Sequence, residues 1–430
     1  MNDILRALPS DDPREGDPRE HHPQEPHPQE PHPRADHPRG HDGPEAGIAR
    51  VARPASTDGP TDPGLLVAAA AAKLAEGRHG EALVLAERAL DAEPNLPRAL
   101  ALAAQALNRL GRWEEGTRRL VRLLRVMPDN AWAEERLAIA RKRFPDDPVI
   151  ADTLARARAF RNAAPERLPR WRPARPLADA PVRDPARAYL DLLVRAATGW
   201  LLEDGAIDPG HADAPFDAAA RAAGRDWPRL GHTMIGLERL QQLREACEDV
   251  IARKVPGDLL EAGVWRGGAA ILMRAVLAAH DEPGRRVVLA DSFAGVPGEA
   301  AHAEEDSYGR WRLHEHRALA VPRPVVEANF ARYGLLDARV VFLEGLFGET
   351  LPSAPVERLA VLRIDGDLYA STMDALRALY PRLSPGGIAI VDDYGIVNGA
   401  RHATLDYRRE HGITAPLWNI DGEGVFWRKE

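Results

Sequence analysis

Leu359-Ala360-Val361-Leu362-Arg363-Ile364-Asp365-Gly366-Asp367-Leu368-Tyr369 runs from an apolar hexamer straight into two aspartates. Gly387-Ile388-Ala389-Ile390-Val391-Asp392-Asp393-Tyr394 repeats the arrangement further on. Both apolar runs are too dense to alternate, which predicts short strands buried on both faces. Between them Ser371 to Leu383 has helical spacing and is closed by Ser384-Pro385-Gly386-Gly387. A strand–helix–strand unit of this kind predicts parallel, neighbouring strands. Their C-terminal ends then lie side by side, and Asp365, Asp367, Asp392 and Asp393 converge on one rim, where open α/β sheets bind ligands. Four carboxylates repel unless a positive group lies among them, and oxygen-only donors suit a hard divalent cation such as Mg²⁺. The plainer reading of each aspartate taken singly is a loop residue capping the next helix.

Upstream, the alternating pattern begins at Asp258-Leu259-Leu260-Glu261-Ala262-Gly263-Val264, a strand entering the turn Gly263-Val264-Trp265-Arg266-Gly267-Gly268, with an apolar helix to Ala279. Arg286 to Phe293 is the second strand, with Asp291 near its C-terminal end; Ala338 to Glu344 is the third, after a helix from Pro324 to Tyr333. Pro416 to Asp421 and Gly424 to Trp427 predict an antiparallel hairpin turning at Asp421-Gly422-Glu423-Gly424. The fold class is therefore α/β, a doubly wound Rossmann-like sheet with a C-terminal antiparallel hairpin. Strand, glycine turn, helix and an acid at the next strand end form the plan of a nucleoside site, Asp291 being the natural ribose partner. The spacing is not Gly-x-Gly-x-x-Gly, and Glu261 puts an anion where a pyrophosphate would lie. A cationic nucleoside without phosphate fits better, and S-adenosylmethionine (SAM) is one.

The totals bound the remaining possibilities. The 430 residues allow two or three domains, and 44% apolar residues allow a sizeable core. A net charge of −8 argues against a nucleic-acid binder. A single cysteine, Cys247, excludes an intrachain disulfide and a Cys-rich zinc site. With no signal-peptide pattern and no membrane-length apolar run, the chain reads as soluble and cytoplasmic, with no membrane partner.

Residues 1–62 form a His/Pro-rich tail with a five-residue period at His22, His27 and His32, read as disordered because so little apolar surface offsets ordering entropy. Its imidazoles are also a weak transition-metal tract. Residues 63–160 change to Ala, Leu and Arg at helical spacing. Gly77-Arg78-His79 recurs as Gly111-Arg112-Trp113, and Pro94 recurs as Pro128. This 34-residue displacement resembles the tetratricopeptide family, with small residues at Ala69, Ala70, Ala82, Ala89, Ala103, Ala104 and Gly116. The pattern breaks at Phe144-Pro145, so two repeats plus a capping helix are expected. Such a module is either a protein-partner or self-association surface or a helical spacer. Residues 161–185, rich in Pro and Arg, read as a semi-rigid linker.

Residues 186–430 resemble the metal-dependent sugar O-methyltransferases that act on macrolide and aminocoumarin antibiotics, the macrocin O-methyltransferase group. The resemblance is carried by His232-Thr233-Met234-Ile235-Gly236, by Glu261 to Gly268, by Ala290-Asp291-Ser292-Phe293-Ala294-Gly295-Val296-Pro297, by Asn329 to Leu335, by Arg363 to Thr372 and by Asp392-Asp393-Tyr394. It implies a SAM- and Mg²⁺-dependent O-methyltransferase domain with a hydroxylated, sugar-like acceptor. Asp365, Asp392 and Asp393 match the family's magnesium ligands and Asp367 its proposed general base. Thr233 and Met234 match a segment closing over the methionine part of SAM, and Glu261, Asp291 and Ser292 match cofactor contacts beside Gly263 of the turn. Two other readings stand beside it. Asp365-Gly366-Asp367 is also the Asp-x-Asp pattern of many glycosyltransferases, and the repeats could make the chain a scaffold with an inactive domain.

Overall fold

The computed structural model describes residues 62–178, 182–207, 214–298, 304–306 and 312–430; the His/Pro tail lies outside them. Six helices come first: α1 (Pro63–Ala75), α2 (His79–Ala92), α3 (Pro97–Arg109), α4 (Trp113–Val126), α5 (Ala131–Arg143) and α6 (Pro148–Asn162). The first two pairs turn alike. Gly77 and Gly111, both at φ 76°, end α1 and α3, and each is followed by an amide that reaches back: Arg78 to the Lys73 carbonyl and Arg112 to that of Leu107, both at 2.9 Å. A left-handed glycine closing a helix this way satisfies its last carbonyls. Pro145 stands where the third glycine would fall, so this turn cannot form there. The third pair forms nonetheless. Asp147 caps α6 by accepting from the Val149 amide at 2.8 Å, and Pro148 occupies the first turn. The module is therefore three helical pairs rather than two plus a capping helix. Ala82, Ala86, Ala89 and Ala103 let the helices approach, and Leu100, Leu107, Leu120 and Leu123 fill the space between.

The Pro-rich stretch that follows is docked rather than spanning solvent. Asn419 donates its amide to the Pro169 carbonyl at 2.9 Å and its side chain to Pro165 at 2.8 Å, and Trp171 donates back to the Asn419 carbonyl at 2.8 Å.

The second part comprises α7 (Pro185–Ala197), α8 (Ala218–Ala222), α9 (Gly236–Ala252), β1 (Asp258–Ala262), α10 (Gly268–Ala279), β2 (Val287–Asp291), α11 (Arg323–Arg332), β3 (Val340–Glu344) and α12 (Phe347–Thr350). It continues with β4 (Leu359–Ile364), α13 (Tyr369–Leu379), β5 (Leu383–Val391), α14 (Asn398–Glu410), β6 (Trp418–Asn419) and β7 (Val425–Arg428). The sheet runs β3-β2-β1-β4-β5-β7-β6, parallel from β3 to β5, with β7 antiparallel to both neighbours. The two faces explain why the strands do not alternate. Leu259, Val287, Leu289, Val361 and Ile390 pack with α7, α9, α10 and α11 on one side; Leu260, Val288, Leu362, Ala389 and Val391 pack with α13 and α14 on the other.

β5 starts at Leu383, earlier than the apolar run suggests. Its register with β4 jumps from Leu359↔Leu383 to Val361↔Ile388, so Ser384 to Gly387 form a bulge, fastened by the Gly386 amide on the Lys429 carbonyl at 2.7 Å. α13 stops at Leu379 because Pro381 turns the chain into a 3₁₀ segment. Among the described residues no helix is long and apolar enough to cross a membrane.

Candidate active site

Strand order reverses between β1 and β4, since β1 leads on to β2 and β3 while β4 leads on to β5. The crevice therefore opens at the C-terminal ends of β1 and β4. Parallel register places the key residues in one row: Glu261 pairs with Arg363, Ala262 with Ile364, and Ile364 with Val391. The Asp365 amide continues the ladder to the Ala262 carbonyl at 2.7 Å, and the Asp392 amide to the Ile364 carbonyl at 2.9 Å. Asp365 and Asp392 thus stand side by side just past the sheet, as the apolar runs predict.

One carboxylate oxygen from each of Asp365, Asp392 and Asp393 falls within 4.8 Å of the others. Asp367 joins them through its backbone, whose amide donates to Asp393 Oδ2 at 3.0 Å. Its φ of 55° is left-handed, a region that costs a residue with a side chain roughly 1–2 kcal/mol. Trp265 after β1 and Phe293 after β2 share that conformation. Three strand ends of one rim therefore carry non-glycine residues held in it, and such strain persists only where the surroundings over-determine it.

Two arginines, neither recognised as such from the sequence, balance part of this charge. Arg363, almost wholly buried, meets Glu261 at 2.6 Å, Asp365 at 2.9 Å and Asp392 at 2.6 Å. Arg239 on α9 binds the other oxygen of Asp392, and also meets Asp421 at 2.8 Å and Glu423 at 2.6 Å in the turn between β6 and β7. Asp392 is the hinge of the network. Burial works against its charge, but Arg239 and Arg363 hold it below the usual carboxylate range. Its neighbours go the other way. Burial, then the charges of Asp365 and Asp392, pushes Asp367 up to about 8; burial, then Asp365, Asp367 and Asp392, holds Asp393 well above its ordinary value. Asp365 is likewise raised, mainly by burial. Seven carboxylates thus share two guanidinium groups, and the excess lies on Asp365, Asp367 and Asp393.

The glycine turn sits against this cluster. Gly263 has φ 90°, and a Cβ there would lie 1.6 Å from the Asp365 carbonyl oxygen. The turn is therefore glycine because β4's exit loop presses on it, whatever else approaches. Glu261 is sealed beneath. Oε1 accepts from Arg363, whereas Oε2 is buried with no hydrogen-bond partner, and the Ala270 amide at the start of α10 eases its charge. Burial pushes Glu261 up to about 8 despite Arg363. Asp291 holds the turn from the other side, accepting from the Val264 amide at 2.6 Å and from the Phe293 amide at 2.8 Å. Ser292 Oγ donates to the Gly295 carbonyl at 2.8 Å and lies 3.5 Å from Asp291. Thr233 is buried against Gly268 at the head of α10, where the Gly268 amide donates to the His232 carbonyl at 2.9 Å; Met234, half-buried, follows it. The ten residues singled out in the sequence thus fall in two adjoining groups. One surrounds the turn between β1 and α10, and the other caps β4 and β5.

The residues present fit both a cation and a cationic nucleoside. The donor set of Asp365, Asp392 and Asp393 is all oxygen and carries surplus negative charge, as hard cations require. The orphaned Oε2 of Glu261 is a buried acceptor that a donor in the crevice would satisfy.

Comparison with known proteins shows which family the second part of the chain resembles. The sequence profile of the Macrocin-O-methyltransferase (TylF) family matches residues 196–429, and a tetratricopeptide repeat profile matches residues 73–134. The 8-demethyl-8-(2,3-dimethoxy-alpha-L-rhamnosyl)-tetracenomycin-C 4'-O-methyltransferase of Streptomyces olivaceus is 54% identical over 243 residues, covering 56% of this chain and 92% of that protein. The mycinamicin III 3''-O-methyltransferase of Micromonospora griseorubida is 46% identical, over 56% of this chain and 96% of its own length. The solved structure of the O-methyltransferase NovP superposes with a TM-score of 0.54 at 47% identity, covering 57% of this chain and 99% of its own.

Proposed function

The chain belongs to the macrocin O-methyltransferase family, and on that premise we propose that it transfers a methyl group from SAM to a hydroxyl of a sugar or another small molecule bearing vicinal oxygens, with Mg²⁺ as its metal. The observation that carries the proposal is the close grouping of Asp365, Asp392 and Asp393 beside the glycine turn at the strand-order reversal. Relatives that methylate a rhamnosyl-bearing tetracenomycin and a mycinamicin support the sugar-like acceptor.

Each residue then has a task. Asp365, Asp392 and Asp393 would hold Mg²⁺, with Arg239 and Arg363 each binding one oxygen of Asp392 and so fixing its carboxylate. When bound, Mg²⁺ lowers the pKa of an acceptor hydroxyl and orients a neighbouring oxygen. Asp367 takes the acceptor proton as the methyl–sulfur bond breaks and the oxygen–carbon bond forms, leaving S-adenosylhomocysteine. Burial and the neighbouring acids raise its proton affinity, the direction that a base needs to hold the proton it takes. Asp291 accepts from the ribose hydroxyls. Glu261 anchors the amino end of the cofactor through Oε2, and Thr233, Met234 and Ser292 line the cofactor around Gly263. The Asp-x-Asp glycosyltransfer reading is not favoured, because the family match points to methyl transfer and the buried Glu261 carboxyl under the turn offers a diphosphate no hydrogen-bond donor of the kind a phosphate site supplies.

Calorimetry on the full chain tests the proposal. SAM binding that Glu261→Gln weakens, together with Mg²⁺ binding that Asp365→Asn abolishes, is the expected result. A folded protein that binds neither would overturn it.

A further inference from the structure

The helical repeats reach the carboxylate rim. Arg156 on α6, mostly buried, gathers two acids from separate elements. Its Nη2 lies 3.0 Å from Glu305 and 2.6 Å from Asp406 Oδ2 on α14, and its Nε donates to Asp406 Oδ1 at 3.2 Å. Asp406 Oδ2 also accepts from the Tyr369 hydroxyl at 3.2 Å. Asp306, beside Glu305, accepts from the Tyr369 amide at 2.5 Å. Tyr369 opens α13, two residues after Asp367; its hydroxyl is held by Asp406, which Arg156 binds, and its amide by Asp306, the chain neighbour of Glu305, which Arg156 also binds. Two further ties join the same parts. Tyr394, next to Asp393, donates its hydroxyl to the Ala163 carbonyl at 2.9 Å, just past α6. Glu304 meets Arg122 at 3.2 Å and Arg125 at 3.3 Å on α4.

We propose that the repeats complete the active centre, Arg156 being a positioning residue that holds the turn from Asp365 to Tyr369 through Glu305, Asp306 and Asp406. The inference rests on the reading of that rim as a cation site. Its physical basis is the left-handed Asp367, whose amide also orients Asp393. A conformation of that kind needs neighbours that fix it on both sides. The Asp392–Asp393 side is fixed by Arg239, Arg363 and the sheet; the Tyr369 side is fixed by Asp306 and Asp406. Without Arg156, Glu305 and Asp406 lose the guanidinium that they share; Asp406 keeps Arg409 at 3.1 Å, but nothing then draws the Glu305 segment to α14, and the two like charges repel. The segment carrying Glu305 and Asp306 moves outward, the Tyr369 amide loses its acceptor, and Asp367 and Asp393 lose their fixed geometry. Among the described residues, the SAM side of the crevice, around Glu261 and Asp291, has no such tie to α6 and keeps its shape.

The test uses the full chain with Mn²⁺ as a spectroscopically visible stand-in for Mg²⁺, read by electron paramagnetic resonance, and SAM read by calorimetry. Arg156→Ala weakens Mn²⁺ about tenfold or more, the scale on which outer contacts support metal ligands, while the SAM Kd stays within twofold. Arg156→Lys, which keeps a cation between the acids, recovers part of the loss. Arg119→Ala breaks only a pair with Glu87 inside the repeats and leaves both affinities unchanged. Wild-type Mn²⁺ affinity in Arg156→Ala overturns the proposal. If Arg156→Ala does not fold, Arg156→Met with Asp406→Asn removes the tie without leaving that charge bare, and wild-type Mn²⁺ affinity there overturns it equally. Asp365→Asn in the same assay separates the two readings: Mn²⁺ binding that survives this change means that the cation-site reading has failed, not the tie.

Discussion

Replacing Arg363 with methionine removes the guanidinium that Glu261, Asp365 and Asp392 share at 2.6, 2.9 and 2.6 Å. The methionine fills most of the space, so the perturbation is electrostatic rather than a cavity. Arg363 is 1% exposed, and the three acids have little water to replace it. Asp392 keeps Arg239 and Asp365 borders the crevice, but Glu261 keeps only the Ala270 amide. Breaking a buried pair from one side costs about 3–5 kcal/mol, because the partner stays behind as an uncompensated charge. For a domain of this size each kcal/mol lowers Tm by about 2–4 °C, so the expected fall is roughly 6–20 °C. Adding Glu261→Gln removes the stranded charge, and the double variant regains about 1–3 kcal/mol, the range of coupling between contacting residues. Differential scanning calorimetry on the four proteins of the cycle, without added metal, measures both quantities. A single-variant loss below about 1 kcal/mol, the scale of an exposed ion pair, or strict additivity in the cycle, would refute the view that Arg363 neutralises Glu261.

Gly263→Ala places a methyl 1.6 Å from the Asp365 carbonyl oxygen at φ 90°, so it lowers stability by about 1–3 kcal/mol and weakens both SAM and Mg²⁺, measured by calorimetry. His402, tilted against Phe160 with ring centroids 4.5 Å apart and near Arg156 and Arg401, is held well below its ordinary pKa by burial and then by those cations. The unfolded chain takes up that proton first. Stability therefore falls as pH drops below about 6.5, by at most about 1.4 kcal/mol per unit, and His402→Phe flattens that limb in urea titrations at successive pH values. Cys247 is buried, and burial raises its thiol pKa, so a maleimide leaves the native protein unlabelled and reacts only as denaturant unfolds it, as mass spectrometry would record.

The sheet was legible because its runs are too apolar to be anything but doubly covered strands, and because an aspartate at the end of such a run has one place to go. Neighbouring strands in a strand–helix–strand unit then brought Asp365 to Asp392 without further information. The partners of those acids were hidden by distance along the chain. Arg239 lies 153 residues from Asp392 and 184 from Glu423, and nothing in an amphipathic helix marks which of its cations turns inward. Arg363 was conspicuous as a charge inside an apolar strand, but its pairing with Glu261 depends on register, which sequence does not state. The third helical pair was concealed by Pro145, which removes the glycine turn without removing the helices on either side. In the glycine turn, a nucleoside-site plan accounts for Gly263 only in part, because the chain's own β4 loop already requires a glycine there.

The turn between β6 and β7 supplies two of the three acids on Arg239, and β7 covers the flank of β5. On the ribosome these come late. At about 5–20 residues per second, the 162 residues between Glu261 and Glu423 take roughly 8–30 s to synthesise. For the last part of that interval, the 34 residues from Val391 to Val425 or roughly 2–7 s, the nascent sheet has an open hydrogen-bonding edge at β5, while Arg239 waits for two of its counterions. The helical repeats, made of local contacts, are already folded by then. Expression yield should therefore depend on how well the growing chain is shielded while that edge is bare, so lower temperature or a ribosome-bound chaperone helps most in the last tenth of translation.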